Sequence, residues 1–338
     1  MRPFVYRRPE SLADAATLAA GGQAPPVLAP AQFIAGGTNM LDYMKLDVMR
    51  PDTLVDLNGL SDRALRRIEL AADGLTLGAL VHMGEAQDHA DIRANYPLIA
   101  EALQLAASQQ IRNMATLGGN ILQRTRCEYF RETSWRCNKR DPGSGCDAME
   151  GFNRQHAVLG TSDKCIATYH GDFAQALIAL DATIDVLGPD GARSLPFARL
   201  HRPPGDTPQI ETVLKPGDIV TAIHVPAGPW TRRSHYLKVR DRQSYAFALA
   251  SAAIALYLDG DTVREARIAL GGVATVPWRA RDAEAVLTGQ PLDDATLARA
   301  ADAAFAGAVA HAHNAFKIPL GKQTLVRALR ETAAMETA

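Results

Sequence analysis

The chain has 338 residues, 47% of them hydrophobic, enough to build real cores in two or three domains. Lys plus Arg (36) nearly balances Asp plus Glu (37), so no overall field draws the molecule to a phosphate backbone or an anionic membrane, which argues against a nucleic-acid partner. The longest uncharged apolar run, Tyr245 to Leu258, is shorter than the roughly 20 residues a helix needs to cross hydrocarbon, so a spanning helix is not expected.

Near the start, Arg7-Arg8 invites comparison with a twin-arginine export signal, but Glu10 and Asp14 interrupt the apolar region such a signal needs. Ser11 followed by Asp14 predicts instead a capped Ala/Leu helix. A strand is predicted at Gln32 to Ala35, a helix from Met40 to Asp47 and a strand at Thr53 to Leu57, which together make a small α/β unit. Gly74 to Val81 reads as a further strand, and Tyr96 to Ile111 has the apolar spacing of one helix. A second glycine turn is expected at Ala115 to Ile121.

From there to about residue 168 the chain shows no sustained period and reads as a long ordered loop. Asp172 to Ala182 reads as a helix, and two short β runs flank Gly188-Pro189-Asp190-Gly191. Asp218 to Pro226 is predicted as a strand, followed by loop chemistry at Pro226 to Pro229. Beyond Ser234, three alternating or apolar runs, the last two joined by Asp259-Gly260-Asp261, predict an antiparallel sheet, with Ala-rich helices from about Arg281 to Thr337 covering one face.

Two segments suit the capture of an anion. In "AGGTNMLDYMK" (Ala35 to Lys45) and in "ATLGGNI", paired glycines let successive backbone N–H groups converge, and a following helix adds its positive end. Such a nest fits a diphosphate. Neither segment has the spacing of a Rossmann or P-loop motif, and on the residues alone each is more readily read as a tight turn.

All four cysteines, Cys127, Cys137, Cys146 and Cys165, fall in the loop. Their spacing matches neither the C-x2-C knuckles of zinc sites nor the ferredoxin runs. A [4Fe-4S] cluster, structural zinc, disulfides and unrelated thiols all stay open on spacing alone, with a secretory-type disulfide disfavoured by the lack of a recognisable export signal.

The combination of "AGGTNMLDYMK", "IRNMATLGGNI", "HGDFAQALIALDA", "PGDIVTAIHVP" and "YLKVRDRQSYAFALASAAIAL" resembles the FAD-binding subunit of the xanthine dehydrogenase and carbon monoxide dehydrogenase family of molybdenum hydroxylases, over nearly the whole chain. The resemblance implies an α+β protein: a two-subdomain FAD-binding fold of the vanillyl-alcohol-oxidase type at residues 1–228 (1–60 and 61–228, with an iron–sulfur loop at about 124–168), then a smaller domain at 233–338 with a three-stranded antiparallel sheet and helices. It implies that Ala35, Gly36, Gly37, Thr38, Asn39 and Met40 wrap the pyrophosphate and that Thr116, Gly118, Gly119, Asn120 and Gln123 form a second FAD-contacting segment. It further implies that Asp172 touches the ribityl region, that Ile219 and Val220 lie beside the adenine or ring system, and that Lys238 lies near the flavin edge.

The cysteine run is most similar to that of the aldehyde oxidase subgroup, which implies a [4Fe-4S] cluster held by Cys127, Cys137, Cys146 and Cys165, with His156 a structural loop residue. The implied activity is electron transfer within a heterotrimer: a large molybdenum-cofactor subunit oxidises the aldehyde, a small [2Fe-2S] subunit relays electrons, and FAD here passes them to an external acceptor. No substrate-level catalytic residue is expected in this chain. Folding is expected in the cytoplasm, with co-export to the periplasm on a partner's signal as the alternative fate. A related hydroxylase or a 4-hydroxybenzoyl-CoA reductase-like enzyme, a self-contained flavin oxidase, and a zinc-stapled scaffold without redox work are the competing readings.

Overall fold

A computed structural model describes residues 1–21 and 26–336; Thr337, the expected end of the last helical run, lies outside them. The first unit is a parallel sheet in the order β1-β3-β2, built from β1 (Val5–Arg7), β2 (Ala31–Ile34) and β3 (Thr53–Asp56), with helices α1 (Leu12–Ala19) and α2 (Met40–Lys45) in its crossovers. Ser11 starts α1 as expected: its Oγ accepts from the Asp14 amide at 3.1 Å and donates to the Asp14 carboxylate at 2.8 Å. Strand β1 has no counterpart in the sequence reading, because three exposed residues carry no periodic signal and pair only through contacts with Thr53, Leu54 and Val55.

The second unit is a five-stranded antiparallel sheet, β4-β5-β8-β6-β7, formed by β4 (Ile68–Ala71), β5 (Gly74–Gly78), β6 (Thr183–Gly188), β7 (Gly191–Pro196) and β8 (Ile219–Pro226). Strand β4, also unforeseen, pairs at the edge with β5. The β6–β7 hairpin turns where expected, with Gly191 at φ +103°. Against this sheet pack α3 (Met83–Asp88), α4 (Ala90–Asn95), α5 (Pro97–Gln104), α6 (Gln109–Arg112), α7 (Leu117–Ile121) and, beyond α8 (Glu128–Arg131, within the cysteine loop), α9 (Phe173–Ala179), and the largest core lies among them, while α8 joins a separate core with Tyr43 of α2 and the cysteines.

Two expectations are corrected here. The helix expected from Tyr96 to Ile111 is two helices: the chain reverses at Ala107 (φ +48°), the Leu105 carbonyl accepts from Lys238 Nζ and Arg240 Nη1 at 3.0 and 3.3 Å, and Ser108 caps the new start at Ile111 N. The second glycine turn is the short helix α7, because Thr116 Oγ1 accepts from Gly119 N at 3.2 Å and the amides of Leu117 and Gly118 donate to Val81 and Ala79 carbonyls.

The last unit is an antiparallel sheet of β9 (Ser234–Val239), β10 (Ala250–Asp259), β11 (Thr262–Gly271) and β12 (Trp278–Arg279), in the order β12-β11-β10-β9. It has four strands where three were expected; β12 is two residues long and shows no alternation of its own. Helices α10 (Arg281–Leu287), α11 (Asp294–Ala304) and α12 (Lys317–Ala333) cover one face and share its core. The opposite face receives α5 and α9 of the preceding unit. Among the described residues no helix is long and apolar enough to cross a membrane.

Candidate functional site

Strand β2 runs into Ala35-Gly36-Gly37-Thr38-Asn39 and then α2, so the turn sits at a strand end and a helix start. Its rim is held from behind: Asn58 Nδ2 donates to the Ala35 carbonyl at 2.8 Å and to Asp56 at 2.7 Å, while Tyr6 donates to Asp56 at 2.6 Å. A Cβ at Gly36 would stand 1.9 Å from the Met114 carbonyl oxygen, so this glycine exists to let the turn lie flush on the chain leading into Ala115 and Thr116. Gly37 sits at φ +73°, in the left-handed region. A Cβ at Gly118 would stand 3.0 Å from the Ala79 Cβ, a looser approach.

These two segments and the start of β8 face one cavity, whose empty volume is about 1680 Å3 counting its open mouth. Of the residues singled out in the sequence, Ala35 to Met40, Thr116, Gly118, Gly119, Gln123, Ile219 and Val220 line it. The C-terminal unit adds Thr275 and Val276. A glycine turn that lines the cavity and runs into the start of α2, which carries no side-chain cap, suits a flavin dinucleotide's diphosphate.

Asn120, Asp172 and Lys238 are not among the lining residues. Asn120 Nδ2 donates to the Met83 sulfur at 3.3 Å, and its Oδ1 is buried without a partner among the described residues. Asp172 and Lys238 form a buried ion pair at 2.7 Å; Tyr236 donates to Asp172 at 2.8 Å, and Lys238 also donates to the Leu105 carbonyl. This pair joins the starts of α9 and of the C-terminal sheet. Lining residues that sequence reasoning missed include Arg124, Lys139, Tyr169, His201 and Glu211, polar or aromatic groups scattered along the chain with no motif to flag them. Tyr169 and His201 both bond the Ile121 carbonyl, at 3.2 and 2.9 Å, closing the end of α7.

The cysteine loop is ordered, with α8 its single helix among the described residues. All four thiols line one small cavity, three of them buried and Cys146 half-buried, and all are free, so no disulfide joins them. Cys137 and Cys146 face each other across a single antiparallel bridge, Cys127 caps α8, and the Ala167 amide points at Cys165 Sγ at 3.5 Å. Among the described residues no group of three or more His, Cys, Asp or Glu is arranged for a metal ion. Burial raises the thiols of Cys127, Cys146 (to about 11) and Cys165, and their mutual repulsion as thiolates adds to it. Cys127, Cys146 and Cys165 are therefore held in the thiol form at neutral pH.

His156 lies beside the thiols: its Nε2 is 3.2 Å from Cys127 Sγ, and burial lowers its pKa to about 4, so the ring is neutral at pH 7. The loop is also tied to the glycine turn, since Arg126, next to Cys127, donates to Asn39 and to Tyr43 Oη (3.0 Å), and Arg131 of α8 pairs with Asp42 of α2 at 2.6 Å.

A glycine turn on a cavity to which all three units contribute, followed by a helix-covered antiparallel sheet, fits a dinucleotide-binding flavoprotein subunit. Residues 2–228 match the model of the FAD binding domain in molybdopterin dehydrogenase and residues 235–332 that of the CO dehydrogenase flavoprotein C-terminal domain, and the chain belongs to this family of FAD-binding medium subunits. It is 47% identical over 337 residues to the aldehyde oxidoreductase FAD-binding subunit PaoB of Escherichia coli (strain K12), covering 99% of both chains. It is 28% identical over 299 residues to the carbon monoxide dehydrogenase medium chain of Afipia carboxidovorans, 88% of this chain and 84% of that one. The solved structure of reconstituted CO dehydrogenase from Oligotropha carboxidovorans superposes with a TM-score of 0.76 at 25% identity, over 99% of both chains. These relatives are components of multi-subunit oxidoreductases, and this chain is an oxidoreductase subunit.

Proposed function

We propose that this chain is the FAD- and [4Fe-4S]-carrying electron-transfer subunit of a heterotrimeric molybdenum-dependent aldehyde oxidoreductase. The observation that carries the reading is the pairing of a glycine-cradled cavity with a second one lined by every cysteine of the chain, in a protein nearly half identical throughout to an aldehyde oxidoreductase subunit. Gly36, Gly37, Thr38 and Asn39 would hold the diphosphate, with Thr116 and Gly119 on the facing segment, and Ile219 and Val220 would offer an apolar wall. Cys127, Cys137, Cys146 and Cys165 would ligate the cluster. When bound, a flavin exchanges electrons singly with iron–sulfur centres and in pairs with an external acceptor. The chain's own work is to bind and orient: the Asn58 and Asp56 bonds fix the cradle, and the Asp172–Lys238 pair fixes the elements behind it. Aldehyde chemistry belongs to a large molybdenum-cofactor partner, and a small [2Fe-2S] partner delivers the electrons.

Anaerobic addition of an aldehyde to the purified complex is expected to bleach the flavin absorption, and the protein is expected to contain iron and acid-labile sulfide in equal amounts. A flavin that stays oxidised, or a colourless zinc protein, would overturn this reading.

A further inference from the structure

The dinucleotide cavity and the cysteine cavity share a wall: Lys139 and Ala167 line both. The chain crosses this wall within a few residues, with Cys165 on one side and Thr168 on the other. Inside it lies a buried ion triad. Glu211 accepts from Lys139 Nζ at 2.9 Å through Oε1 and from Arg124 Nε at 2.5 Å through Oε2, and the three side chains are 15%, 11% and 6% exposed in the order Glu211, Lys139, Arg124. Arg124 also stacks over Phe130, which lines the cysteine cavity, at 4.6 Å, while its Nη2 has no partner among the described residues. Two cations against one carboxylate leave one net positive charge between the cavities.

A buried triad of this kind is often no more stabilising than apolar residues of the same volume. Its charge acts at short range and in poor screening on whatever anions the two cavities hold. We propose that the Arg124–Glu211–Lys139 triad is a shared electrostatic element that sets, with the same sign, the affinity of the dinucleotide cavity for its anionic diphosphate and the reduction potential of the centre in the cysteine cavity. This inference rests on the function proposed above, and its residues are positioning residues.

The test uses the purified holoprotein with its accompanying subunits and three substitutions. Lys139→Met brings the triad to zero net charge, Glu211→Gln brings it to plus two, and Lys139→Arg leaves it unchanged. FAD affinity is read by fluorescence as FAD rebinds to depleted protein, and the cluster midpoint by an EPR-monitored redox titration. Lys139→Met should weaken FAD binding on the order of tenfold, about 1.4 kcal/mol, and lower the cluster midpoint. Glu211→Gln should shift both the other way, and Lys139→Arg neither. A merely structural triad would make Lys139→Met and Glu211→Gln move both readouts in the same direction, and that result, or a response confined to one site, overturns the proposal. Should Lys139→Met fail to fold, the isosteric Glu211→Gln decides alone: unchanged affinity and midpoint overturn it. Wild-type protein without FAD or without iron would instead overturn the underlying function.

Discussion

Gly36→Ala is the sharpest perturbation of the cradle. The new methyl would meet three backbone atoms, the Met114 oxygen at 1.9 Å, the Met114 carbonyl carbon at 2.7 Å and the Ala115 Cα at 3.0 Å. Ordinary contact begins near 3.4 Å, so the two segments must part by about 1.5 Å, and no flexible side chain can yield instead. Overpacking of this kind typically costs about 1–3 kcal/mol, and the separation misaligns the facing segments of the cavity. Gly37→Ala is the comparison: its Cβ would meet only side-chain atoms, of Leu41 at 3.3 Å and Ile34 at 3.7 Å, so its cost is chiefly the left-handed backbone, about 1–2 kcal/mol. Urea unfolding of the FAD-depleted protein and FAD content after acid release should show Gly36→Ala to be the more damaging, with FAD affinity reduced at least about tenfold for each 1.4 kcal/mol lost from the bound state. A Gly36→Ala protein with the wild-type unfolding midpoint and full FAD would refute the close approach on which the cradle rests.

Other substitutions separate scaffold from site. Lys238→Met should destabilise the fold by about 3–5 kcal/mol by leaving Asp172 buried and unpaired; loss of FAD at unchanged stability would place Lys238 in the site instead. Serine at Cys127, Cys137, Cys146 or Cys165 should each lower iron content in anaerobically purified protein; full iron in all four variants would remove the thiols as ligands. Lys317 is fully buried and donates to the Gln155 and Gly272 carbonyls at 2.9 and 2.7 Å, and burial lowers its pKa to about 7. Its protonation is opposed only in the folded chain, so wild-type stability should rise between about pH 7 and the ordinary lysine range, by up to about 1.4 kcal/mol per pH unit. Denaturation midpoints of Lys317→Met should lose that rise, and an unaltered slope would contradict it.

Local chemistry made part of this molecule readable in advance. The Ser11 cap, the β6–β7 turn and the glycines after β2 each announce themselves through residue types that only certain backbones demand. The crowding of four cysteines into one loop was likewise visible, and the structure gathers them on one cavity. Partners chosen across long separations were not visible. Lys238 carries no local signal that its Nζ bonds Asp172 and the Leu105 carbonyl. That second bond accompanies the break between α5 and α6 in a stretch whose apolar spacing alone asks for continuity. Arg124, Lys139 and Glu211 carry no local signal either; the wall they form exists only once Glu211 folds back beside the cysteine loop.

The cysteine loop also answers to chain that comes long after it. Asn314 holds the His156 and Ala157 carbonyls, Lys317 the Gln155 carbonyl, and Val309 the Val158 carbonyl, while Val158 and Leu159 are built into the core of the C-terminal unit. During synthesis, then, the thiols emerge well before the straps that shape their enclosure. The enclosure around them is complete only once the C-terminal helices have docked, and a nascent or truncated chain would present those sulfurs to oxidants while still unable to shelter them.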